Sequence, residues 1–80
     1  MILKFFDGRT LVGTQLQILR QMRQLDYDTA GTLAAYVERL RERAAMLGYS
    51  IAPKGANDQE LAENTVAEML RVGLLERGNG

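Results

Sequence analysis

The chain has 80 residues with ten basic and ten acidic side chains, a formal net charge of zero, no cysteine and no histidine. That length makes one domain with a thin core, burying only about 60–65% of the surface its unfolded chain exposes. The charge balance argues against a nucleic-acid binder, which usually carries a basic surplus. The absence of cysteine excludes disulfides and thiol nucleophiles, and the absence of histidine removes the usual acid–base group near neutral pH. Eight of the ten basic residues are arginine, and charge is spread evenly: residues 1–13 and 14–48 each sum to +1, and residues 49–80 to −2. The opening Met1-Ile-Leu-Lys4 is interrupted by charge too early for a signal peptide. No apolar run approaches the ~20 residues of a membrane span. Together these point to a protein of the cytoplasm, where thiols and disulfides play no part in its stability.

Two apolar runs flank Asp7-Gly8, a strong hairpin signal because tight hairpin turns need φ > 0. A two-residue loop there sets Phe6 opposite Arg9, Phe5 opposite Thr10, Lys4 opposite Leu11 and Leu3 opposite Val12. Because side chains alternate, Leu3, Phe5, Thr10 and Val12 then share one face, and Ile2, Lys4, Phe6, Arg9 and Leu11 the other. Both faces are apolar in part. If Leu3, Phe5 and Val12 cover the protein's own helices, then Ile2, Phe6 and Leu11 form an outward candidate interaction surface. The competing expectation is that helix 3 or the tail Val72–Leu75 covers that second face.

Thr14 caps a first helix over about Gln15–Leu25, with Gln17 completing a capping box. Its apolar stripe is Ile18, Leu19, Met22 and Leu25, with Leu16 at the margin. Residues 26–31 read as a connector. Thr32 caps a second helix, about Leu33–Leu47, with Leu33, Tyr36, Val37, Leu40, Ala44 and Leu47 at helical spacing. Gly48 ends it. Tyr49–Ala52 alternates briefly and is an optional strand. Asn57, with Glu60 at the capping-box position, opens a third helix that buries Leu61, Ala62, Thr65, Val66, Met69 and Leu70 and stops at Gly73. Residues 74–76 are a second optional strand. The order β-β-α-α-(β)-α-(β) makes residues 1–80 a single small α+β domain, a hairpin packed on three amphipathic helices.

No arrangement of residues points to catalysis. Ser50 has no histidine to activate it. Asp26-x-Asp28 lacks the further oxygen ligands of a calcium loop. Gly48–Gly55 lacks the Gly-Lys-Ser/Thr of a phosphate loop. An enzyme reading would rest on carboxylates and on Tyr27, Tyr36 or Tyr49, which nothing arranges. Arg39, Arg41 and Arg43 do not share one helix face and are interleaved with Glu38 and Glu42, as on a solvated, salt-bridged face.

Two resemblances add to this reading. The stretch Asn64–Arg77, with Gly73-Leu-Leu75 followed by Arg77, resembles the end of a winged-helix recognition helix, which implies DNA binding through helix 3. The Gly48–Asn57 connector, however, is much longer than the 3–4 residue turn of a helix-turn-helix. The pattern Phe5-x-Asp7-Gly8, then Gly13-Thr14, Ile18, Met22 and Tyr36, resembles small bacterial and mobile-element proteins without an assigned activity. The expectation is a non-enzymatic protein-interaction or adaptor module, with a second copy of the chain among its partners. The alternative is a small DNA-binding regulator using helix 3 and the arginine-bearing helix faces. No cofactor, metal, membrane or small-molecule ligand is expected.

Overall fold

The structure, a computed structural model, describes residues 1–5, 7–26, 29 and 31–78. Two strands, β1 (Ile2–Phe5) and β2 (Thr10–Val12), are followed by three helices, α1 (Gln15–Leu25), α2 (Leu33–Met46) and α3 (Asp58–Val72), and by β3 (Leu75–Arg77). The strands form one antiparallel sheet in the order β2-β1-β3. The first and last strands therefore pair, and the C-terminal segment occupies an edge of β1 rather than a face of the hairpin. This is an α+β fold, as the alternation of apolar periods implies.

The helices begin where local chemistry dictates. Thr14 Oγ1 accepts from the Gln17 N–H while Gln17 Oε1 accepts from the Thr14 N–H, so two otherwise orphaned donors are satisfied. Thr32 Oγ1 accepts from the Ala35 N–H, and Asn57 Oδ1 from the Glu60 N–H. At the other end of α3, Gly73 takes φ +89, a left-handed cap that a Cβ would strain. Asp58 and Glu60 in its first turn and Arg71 in its last oppose the helix dipole favourably.

The hairpin departs from the two-residue expectation. Leu3 pairs with Leu11, Ile2 with Val12 and Lys4 with Thr10. Phe5 and Arg9 flank a three-residue connection closed by Phe5 N–H to Arg9 O (2.8 Å) and Gly8 N–H to Phe5 O (2.9 Å). Gly8 sits at φ +97, the left-handed position that three-residue hairpins reserve for glycine. A one-residue change of register exchanges the two faces of β2. Leu11 therefore joins Leu3 in the core, both essentially inaccessible, while Val12 turns outward and is 56% exposed. The expected pairing of Leu3 and Phe5 with Val12, and the outward placement of Leu11, are both corrected by this register.

The core lies between the inner face of the sheet and the three helices. Leu3, Leu11 and Leu75 of the sheet meet Ile18, Leu19 and Met22 of α1, Tyr36, Val37 and Leu40 of α2, and Ala62, Val66 and Met69 of α3. Thr65 is fully buried and donates its hydroxyl to Leu61 O at 2.6 Å, which leaves no unmet polar group there. Residues 49–52 do not form a strand. Both edges of β1 are already taken, and the segment is held by α3 instead. Arg71 Nη2 donates to Ser50 O (3.0 Å), the Ala52 N–H donates to Glu68 Oε1 (3.3 Å), and Asn64 Nδ2 donates to Lys54 O. Ile51 alone of this segment is buried.

Candidate interaction surface

A cleft of about 190 Å³ is built from the hairpin, the ends of α1 and α2, α3 and the α3–β3 connection. Leu40, Ala44, Met69 and Leu74, all buried, form its floor, with Phe5 and Leu47 beside them. Asp7, Arg9, Asp26 and Arg43 are the charged residues at its rim. Helical spacing explains the α2 contribution: Leu40, Ala44 and Leu47 lie on one stripe, with Arg43 at its margin.

Asp26 organises the rim. It is the C-cap of α1, its N–H bonded to Met22 O, and its side chain is only 16% exposed. The carboxylate accepts from the Tyr36 hydroxyl at 2.6 Å and from Arg43 Nη1 at 3.1 Å, with Arg9 Nη2 at 3.9 Å. Arg9 also pairs through Nε with Asp7 Oδ2 at 2.7 Å, and its guanidinium lies over the Phe5 ring, 5.1 Å from the centroid. Two arginines and two aspartates from the hairpin, α1 and α2 thus gather into one neutral group above an apolar hollow. Arg43 is hydrogen-bonded to Asp26, whereas Arg9 Nε is buried without a hydrogen bond and meets Asp7 only as an ion pair. Ion pairs at an exposed rim add little stability.

Beside the cleft the end of α2 leaves large apolar side chains in water. Met46 is 87% exposed, Leu47 58% and Tyr49 37%. Met46 follows Arg43 by three residues, so it lies one turn along the same exposed side. Leu47 belongs at once to this shelf and to the wall of the cleft.

The residues singled out from sequence fall differently. Ile2 is half-buried on the outer face of the sheet beside Val12, Leu11 is in the core, and Phe6 lies outside the described residues. Lys4, Thr10 and Glu76 share the outer face with Ile2 and Val12, which makes it largely polar. Of the Asp26-x-Asp28 pair, Asp26 is held by Tyr36 and Arg43, and Asp28 lies outside the described residues, as does Tyr27. Among the described residues no three carboxylates converge as a metal site would need. Ser50 contributes its carbonyl, which accepts from Arg71.

The arginines of α2 act separately. Arg41 is hydrogen-bonded to Glu38, which holds the Glu38 carboxyl below its ordinary range and raises Arg41. Arg71 does the same to Glu68, helped by the Ala52 N–H. The solvent side of α3 carries Asp58, Glu60, Glu63 and Glu68 against the single Arg71. Among the described residues, no helix is long and apolar enough to cross a membrane. No protein-family model, curated protein or solved structure matches the chain.

Proposed function

We propose that this protein is a non-enzymatic interaction module and that it receives an apolar side chain of another protein in the cleft between Phe5, Leu40 and Leu74. The observation that carries this reading is the coincidence of an apolar hollow with a pre-formed neutral rim and an exposed apolar shelf. Contiguous exposed apolar surface of this kind marks partner sites. Deep apolar pockets ringed by polar side chains are where interface anchors seat. Arg43 is already hydrogen-bonded to Asp26 and Arg9 ion-paired with Asp7, so less side-chain entropy is lost at the rim on binding. The acidic solvent side of α3 repels phosphate and weighs against the DNA-binding alternative.

Titration with N-acetyl-methionine amide, followed by methyl and amide NMR shifts, tests the reading. Shifts confined to Leu40, Leu47, Met69 and Leu74 support it. Shifts scattered over the surface, or larger shifts on adding a short DNA duplex at low salt, overturn it.

A further inference from the structure

We infer that the cleft is also a binding site for a free apolar α-amino acid of the size of leucine or methionine. The inference rests on the proposed reading of the hollow as a seat for an apolar side chain and adds a small ligand to the same place. A dry cavity of about 150 Å³ holds a benzene, and sites for drug-sized ligands run to roughly 300–1,000 Å³. A hollow of about 190 Å³ floored by Leu40, Ala44, Met69 and Leu74 therefore suits one side chain and little more.

The mouth of the hollow decides what that side chain is attached to. Asp26 Oδ2 accepts from Tyr36 and from Arg43, but among the described residues Oδ1 accepts no hydrogen bond and lies 3.9 Å from Arg9 Nη2. Arg43 donates to the described residues through Nη1 alone, and its side chain is 52% exposed. A guanidinium carries five N–H donors in one plane, so its Nε and Nη2 are free to meet a carboxylate. A spare acceptor and spare donors thus lie side by side, because Arg43 Nη1 is 3.1 Å from Asp26 Oδ2. The ammonium and carboxylate on the α-carbon of an amino acid are neighbours in the same way. The charges of Asp7, Arg9, Asp26 and Arg43 sum to zero. A ligand with one charge would leave that charge uncompensated beside the largely buried Asp26, whereas a zwitterion keeps the rim neutral and gives each sign a partner. A residue within a partner's chain brings only amides to this rim, and a chain terminus brings only one charge. Both charges together mark the free amino acid.

NMR titration of the whole chain with four probes tests this. L-methionine carries both charges, methionine amide only the ammonium, N-acetyl-methionine only the carboxylate, and N-acetyl-methionine amide neither. L-methionine is expected to shift Leu40, Leu47, Met69 and Leu74 and to bind at least about tenfold more tightly than each of the other three. Glycine, which has both charges and no side chain, should leave these residues unmoved. Arg43→Gln, an exposed position whose fold is checked by its amide spectrum, should weaken L-methionine about tenfold. L-methionine binding no more tightly than N-acetyl-methionine amide overturns the inference, as does an affinity that glycine matches or that ignores Arg43→Gln. If N-acetyl-methionine amide still shifts the cleft in those cases, the hollow remains a docking site for a partner's side chain and only the amino acid is wrong. If L-methionine alone shifts it, the amino-acid site stands and the docking of a partner's side chain fails. If neither does, both fail.

Discussion

Tyr36 and Asp26 show how single residues shape both the core and the candidate surface. The Tyr36 ring is fully buried in α2, yet its hydroxyl reaches the charged Asp26 carboxylate at 2.6 Å. A hydrogen bond to a charged acceptor contributes about 1.5–3 kcal/mol, so Tyr36→Phe is expected to lower unfolding free energy by about that amount in urea titrations. Gly8 carries the hairpin through φ +97, where an L side chain costs roughly 1–2 kcal/mol. Gly8→Ala should destabilise by about that much, read as a lower denaturation midpoint. The glutamates held by arginine add a pH dependence. Glu38 and Glu68 titrate below their ordinary range because Arg41 and Arg71 hydrogen-bond the charged forms. A carboxyl depressed on folding contributes stability above its unfolded pKa and loses it as the pH falls through the folded value. The two helix–arginine contacts are therefore complete at neutral pH and lost on acidification below the ordinary glutamate range of about 4.3. Carboxyl NMR titration should find both midpoints below the ordinary glutamate value of about 4.3.

Elements are where sequence and structure part company, and the hairpin shows why. Leu11 and Val12 exchange roles according to whether the loop holds two residues or three, and the Asp7-Gly8 pair suits either. The three-residue connection predicts that Leu11→Ala costs about 2–4 kcal/mol and Val12→Ala less than about 0.5 kcal/mol, whereas a two-residue loop predicts the reverse. Thermal and urea unfolding of the two variants decides between them. The helix starts were legible because Thr14, Thr32 and Asn57 act within four residues of sequence, and the core stripes because helical periodicity is local. The stripes were over-read at Leu25, Leu47 and Leu70: the first two keep the period but extend past the partners that cover Leu19 and Leu40, and Leu70 is only half-buried. The third strand was legible as Leu74–Glu76, one residue early, but its pairing with β1 was not, since that joins residues 70 to 74 apart. The cleft was not legible as a cleft: Leu40, Ala44, Leu47 and Met69 read as core stripe, and only the fold shows that they also line a hollow. Asp26, Arg9 and Arg43 come together from three elements, and no spacing in the sequence announces them.

At the scale of the molecule, β1 sits between the hairpin partner and the C-terminal strand, and both of its edges are occupied by three-residue strands. Short edge strands leave little backbone for strand addition, and the outer sheet face carries Lys4, Thr10 and Glu76. The sheet edges are thus poorly suited to strand addition, while the end of α2 carries exposed apolar side chains beside the cleft. A small core also makes the domain sensitive to loss of volume: Leu3, at the centre of the sheet and inaccessible, should cost about 3–5 kcal/mol as Leu3→Ala, enough to leave much of an 80-residue domain unfolded. The location of the interaction surface is tested most directly by NMR chemical shifts followed while N-acetyl-methionine amide is added up to about 10 mM, a range suited to a weak anchor. Shifts should gather on Leu40, Leu47, Met69 and Leu74, which line the cleft. Shifts on Ile2, Lys4, Val12 and Glu76 instead, or none at any concentration, would contradict the assignment of the cleft beside the α2 end as the interaction surface.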